Sequence, residues 1–110
     1  MKQIQIIGNI GNDAVLRSGN GSEFVTFSVA VNEKIKQQDG TEKESTDWFS
    51  VICRQTSIAA YLKAGTKVFV QGKLKANLYK DNSNVTKVSL EISCGTGDIV
   101  LLSKKEETTN

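Results

Sequence analysis

The chain is 110 residues long, enough for one domain with a single modest core. Fourteen Lys and Arg against twelve Asp and Glu leave a net charge of +2, too small to argue for a polyanionic partner by itself. There is no histidine, which removes His-based catalytic triads, His-containing zinc sites and imidazole general bases.

The opening MKQIQIIGN enters a strand pattern at residues 2–9 directly, without the apolar region of a signal peptide. Gly8 and Gly11 mark a bend at a sheet corner where a Cβ would interfere. After the turn signal Gly19-Asn20-Gly21, residues 24–32 alternate as a second strand. The polar segment KIKQQDGTEK at 34–43 is a long hairpin connector with its tip at Asp39-Gly40. Residues 48–54 form a third strand, and TSIAAYLK at 56–63 is the one helical candidate. In that helix Ile58, Tyr61 and Leu62 share a face, and Ala64-Gly65 supplies the stop. A fourth strand at 67–79, coiled at Gly72, is joined through Asp81-Asn82-Ser83-Asn84 to a fifth at 86–93. Gly95-Thr96-Gly97 precedes a short sixth run at 99–102.

Five strands with one short helix between the third and fourth is the order of an OB-fold. The expected class is therefore all-β, a five-stranded Greek-key barrel whose strand faces and loops commonly bind oligonucleotides or oligosaccharides. The position of the helix argues against a β-sandwich. The barrel is assigned to residues 1–103, and 104–110 to a short polar tail. No run approaches the ~18 apolar residues of a membrane span, so a cytoplasmic protein with no membrane association is expected. In that compartment the sequons at Asn20 and Asn84 carry no meaning, and Cys53 and Cys94 read as reduced, partly buried fillers.

The fourth strand, KVFVQGKLKANLYK, has two different faces. Val68, Val70, Leu74, Ala76 and Leu78 share one parity, while Lys73, Lys75, Asn77 and Tyr79 share the other. The second face offers cations to a phosphate backbone and a ring on which a base can stack. On the third strand Trp48 and Arg54 share a parity, with Phe49, Val51 and Cys53 opposite. With Phe49 facing the core or a subunit contact, Trp48 is left to stack, and Arg54 to pair with phosphate or stack on a base. Six lysines but a single acid lie between residues 63 and 87, whereas the acids gather at 33–47. The hairpin lysines Lys34, Lys36 and Lys43, and Lys80 and Lys87 beside Tyr79, complete the candidate binding set for single-stranded DNA.

The segments IIGNIGNDA at 6–14, FSVAVNEK at 27–34, TDWFSVIC at 46–53, YLKAGTKVFVQGKL at 61–74 and YKD at 79–81 resemble the bacterial-type single-stranded DNA-binding protein family, in order and spacing. The resemblance runs through residue 103. It implies an OB-fold, usually a homotetramer, that coats single strands in replication, recombination and repair without catalysis. It places the family's stacking aromatics on Trp48 and Tyr79. Two further stacking positions are non-aromatic in this chain, where Ile35 and Arg54 stand, and Phe49 occupies a place often held by histidine. Family members typically continue into a Gly- and Pro-rich linker with an acidic, Phe-terminated tip, whereas this sequence ends KKEETTN. Recruitment of repair and replication enzymes through such a tail is therefore not expected. A short specialised paralogue and a trimmed chain both fit.

Catalysis has no support: there is no G-x-x-x-x-G-K-[ST] loop, and lysines interleave Asp39, Glu42, Glu44 and Asp47. No enzyme activity, metal or cofactor is expected. The expected partners are single-stranded DNA and further copies of this chain, as a homotetramer or, failing that, a dimer through apolar positions such as Ile6, Phe49 and Val51. The alternatives are a dimeric primosome-type OB protein and an OB module that binds protein or oligosaccharide.

Overall fold

Alternation of β-branched and polar residues is realised as a structure made almost wholly of strands. The computed structural model describes residues 2–102, and the tail assigned to 104–110 lies outside them. The elements in chain order are β1 (Gln3–Ile10), β2 (Val15–Gly19), β3 (Ser22–Lys36), β4 (Glu42–Cys53), a 3-10 helix (Thr56–Tyr61), β5 (Lys67–Lys80), β6 (Thr86–Cys94) and β7 (Ile99–Leu101). β1 pairs with both β3 and β5, which closes β1-β3-β4-β6-β5 into a ring of five strands. The β4–β6 contact is parallel and every other pairing antiparallel. With the helix between the third and fourth strands of the ring, this is the OB-fold.

The inward parity of each strand fills the ring. Ile6 and Ile10 from β1, Val25, Phe27 and Val29 from β3, Phe49, Val51 and Cys53 from β4, Val68 and Val70 from β5, and Ile92 and Cys94 from β6 form one buried cluster with Leu62 and Ile99. Each fully buried aliphatic side chain contributes about 1.5–3 kcal/mol over leaving it in water. Ile6, Phe49 and Val51 are therefore interior residues of a single protomer, not surface for self-association, because their parity is that of the core.

Three further expectations need correcting. β2, unforeseen in the sequence, pairs with β3 through the Gly19–Ser22 turn, where Asn20 and Gly21 adopt positive φ. The segment 34–43 is half strand, its connector shortened to residues 37–41, since β3 and β4 pair as far as Lys36 and Glu42. The helix is a 3-10 turn ending at Tyr61, so Leu62 enters the core from non-helical backbone while Tyr61 stays outside. Two hairpins thus project from one end of the ring: β3–β4 and β5–β6. Beyond the ring the inward parity of β5 has nothing to pack on, and Leu78 is 73% exposed despite its apolar row.

Candidate nucleic-acid interface

Registers settle which side chains share the outer face, because residues directly opposite in a sheet point to the same side. Ser50 on β4 lies beside Glu91 on β6, which lies opposite Lys75 on β5. From that row the outward parity leads one way to Trp48 and, through Asn77, to Tyr79 opposite Lys87. It leads the other way to Ile52, Ser93 and Lys73, with Gln3 of β1 beside Lys73. Trp48 and Tyr79 are 57% and 49% exposed, whereas Phe49, next to the tryptophan, is buried at 7%. Counting two strand spacings and two residues of offset, the rings' Cα atoms stand about 12 Å apart.

The cations sort by face and by partner. Lys73 and Arg54 line one open cleft of 390 Å³ with Gln3, Ser93, Gly95 and Asp98. Asp98 is already committed there, accepting from the Gly95 amide at 2.7 Å and from Gln71 Nε2 at 3.4 Å. Lys75 faces Glu91, which also accepts from Asn77 Nδ2 at 3.4 Å. Lys87 shares Tyr79's face, and its ammonium is 3.4 Å from Asp81. Asp81 caps its own turn by accepting from the Ser83 and Val85 amides, and these bonds hold its carboxyl below the usual range. Lys34 and Lys36 continue the face of Trp48 but lie directly opposite Glu44 and Glu42. Lys43, opposite Ile35, and Lys80, opposite Thr86, have the other parity and face away from the rings. The structure thus gathers Trp48, Tyr79, Arg54, Lys73, Lys75 and Lys87 on one face. It sets Lys34, Lys36 and Lys75 against carboxylates there and separates Lys43 and Lys80 from it.

Sequence reasoning missed the support under Trp48. Its indole lies over Gly11, beside Ser28 and Asn12. Only the run of small polar residues, Asn12, Ser28 and Ser50, hinted that this face is kept flat. Among the described residues no cluster of His, Cys, Asp or Glu is placed to hold a metal, and no helix is long and apolar enough to cross a membrane.

Residues 1–100 match the model of the single-strand binding protein family. The chain is 30% identical to single-stranded DNA-binding protein 1 of Chlorobaculum tepidum, over 96% of this chain and 67% of that one. It is 27% identical to the single-stranded DNA-binding protein of Rickettsia prowazekii, over all of this chain and 78% of that one. Among solved structures it is similar to a Plasmodium falciparum single-strand binding protein in complex with single-stranded DNA. That match has a TM-score of 0.76 and 26% identity, covering 94% of this chain and 96% of the other. The fold is also that of a small single-stranded DNA-binding protein from Streptomyces coelicolor, with a TM-score of 0.67, 21% identity and coverage of 96% and 94%. The chain belongs to the single-strand binding protein family.

Proposed function

We propose that this chain binds and protects single-stranded DNA without strong sequence preference, in replication, recombination or repair. It acts by stacking bases on Trp48 and Tyr79 and by neutralising phosphates, chiefly with Lys73 and Arg54. It is a non-catalytic, cytoplasmic protein working as a homotetramer, with a dimer as the alternative assembly. The observation that carries this reading is the outward turn of both rings onto one lysine-bearing face, in a member of a family whose relative from Plasmodium falciparum is seen with single-stranded DNA. Single strands suit this face because every base has a π surface to offer, whereas a duplex hides it in its own stack. Among the described residues no helix is long enough to read a major groove: the one there spans six residues. Lys75, Lys34, Lys36 and Lys87 serve as secondary contacts, their charge partly offset by neighbouring carboxylates. Lys43 and Lys80 meet a strand only where it wraps around a hairpin.

Self-association has a surface of its own. Ile7, Phe69 and Val100 stand in one row across β1, β5 and β7 on the outer face, and Ile7 and Val100 are about half exposed. Competition between labelled oligo(dT) and unlabelled duplex of equal length tests the function. Duplex should compete poorly, and equal competition would refute the proposal.

A further inference from the structure

We propose that Gly11 and Asn12 are positioning residues for the tryptophan platform, forming a seat that fixes the plane of the Trp48 ring before a base arrives. The inference rests on the reading of Trp48 as a stacking surface. β1 ends at Ile10, but the chain stays fastened to β3: the Gly11 amide donates to the Ser28 carbonyl at 2.9 Å. Asn12 then supplies the next rung with its side chain, Oδ1 accepting from the Ser28 amide at 3.0 Å and also from the Ser28 hydroxyl. Ser28 shares the outward parity of Ala30, the residue directly across from Trp48. The 11–12 segment is therefore bound to β3 immediately beside the indole.

Its backbone is the floor on which the ring rests. A Cβ placed on Gly11 would lie 2.5 Å from Cζ3 and 2.9 Å from Cη2 of Trp48. Gly11 is not among the glycines with positive φ, so the position needs absence of bulk rather than conformational freedom. Gly8 and Gly72 differ in kind. A Cβ there would strike the carbonyl oxygens of Ala30 and Ser93, atoms locked in the sheet. At Gly11 the atoms met are all side-chain atoms, the far edge of an indole that can swing and, at 3.0 Å, the Ser28 hydroxyl. Gly11→Ala should accordingly tilt the ring and leave the barrel standing. An indole whose outer edge rests against Gly11 while the rest stays exposed has lost rotamer freedom before binding. Removing that preorganisation is expected to weaken binding by about two- to tenfold.

The test compares the native protein, Gly11→Ala, Trp48→Ala and the double variant by oligo(dT) affinity, far-UV CD and the near-UV CD band of the single tryptophan. Gly11→Ala should weaken affinity, alter the near-UV band and leave the far-UV spectrum unchanged. In the Trp48→Ala background it should cost no further affinity. Asn12→Ala adds no atom and should weaken the near-UV band through a loosened floor, whereas Asn12→Asp keeps the accepting oxygen and should restore it. An equal loss from Gly11→Ala in both backgrounds would overturn the proposal, as would an unchanged indole band in Gly11→Ala and Asn12→Ala. If Trp48→Ala binds as tightly as the native protein, the stacking role itself falls. The seat is still judged by the indole band in that case.

Discussion

At the scale of single residues, the outer face separates stacking from charge. Trp48→Ala is expected to weaken oligo(dT) binding by about 1–3 kcal/mol, and Tyr79→Ala by a similar or smaller amount, with the fold retained in both. Far-UV CD and a binding isotherm check this together, and loss of the fold in Trp48→Ala would mean that the ring supports the core. The double variant Lys73→Ala, Lys75→Ala should reduce the slope of log K against log salt by about 1.4 if both lysines contact phosphate. Lys34→Ala with Lys36→Ala should change it less, since both of those lysines lie opposite carboxylates whereas Lys73 lies opposite Ser93. An unchanged slope in the Lys73, Lys75 variant, with a large change in the hairpin variant, would move the phosphate path to β3–β4. The orientations of Trp48 and Phe49 were legible in the sequence, because adjacent strand residues must point apart and Phe49 shares the parity of Val51 and Cys53. Which lysines stand against carboxylates was not. That depends on cross-strand register, and Lys34 meets Glu44 only because the β3–β4 hairpin turns at residues 37–41.

At the scale of elements, glycines set how closely strands approach. Gly72→Ala would press a Cβ against the Ser93 carbonyl and should destabilise the fold by about 1–3 kcal/mol, as overpacking of a close contact does. Urea unfolding checks the value, and a stability equal to that of the native protein would contradict the packing at β5–β6. The two thiols mark the same seam, Cys53 beside Cys94 on β4 and β6. Burial raises both, Cys94 to about 12, so neither forms a reactive thiolate at neutral pH. Folded thiols titrating above their unfolded value add stability that is full below the ordinary value of 9.0 and is lost as pH rises through the folded value. Slow labelling by a thiol reagent in the native state, fast labelling in urea, and a melting temperature that falls above that pH are expected. Rapid native labelling would place a thiol at the surface. The five ring strands could be read from alternation, but β2 could not. All five of its residues are exposed, so no buried parity exists to betray it. The exposed Leu78 escaped for the converse reason: alternation fixes the side of a strand, not whether a neighbour covers it.

At the scale of the whole molecule, the surfaces proposed for assembly and for DNA binding are different. The row Ile7, Phe69 and Val100 lies on strands β1, β5 and β7, and the rings lie on β4 and β5 toward the hairpins. Light scattering at micromolar concentration should give about four protomer masses, and Ile7→Asp with Val100→Asp should lower that number, because burying two carboxylates in an apolar contact is costly. A native monomer would contradict the assembly, while a native tetramer unaffected by the two substitutions would place the contact elsewhere. If Trp48 is a surface for unstacked bases, the chain's single tryptophan reports on binding directly. The decisive measurement is a titration of its fluorescence with oligo(dT) at several salt concentrations. Saturable quenching whose affinity falls as salt rises is expected, with no comparable quenching by duplex DNA. Fluorescence unmoved by oligo(dT) at low salt would contradict that role of Trp48.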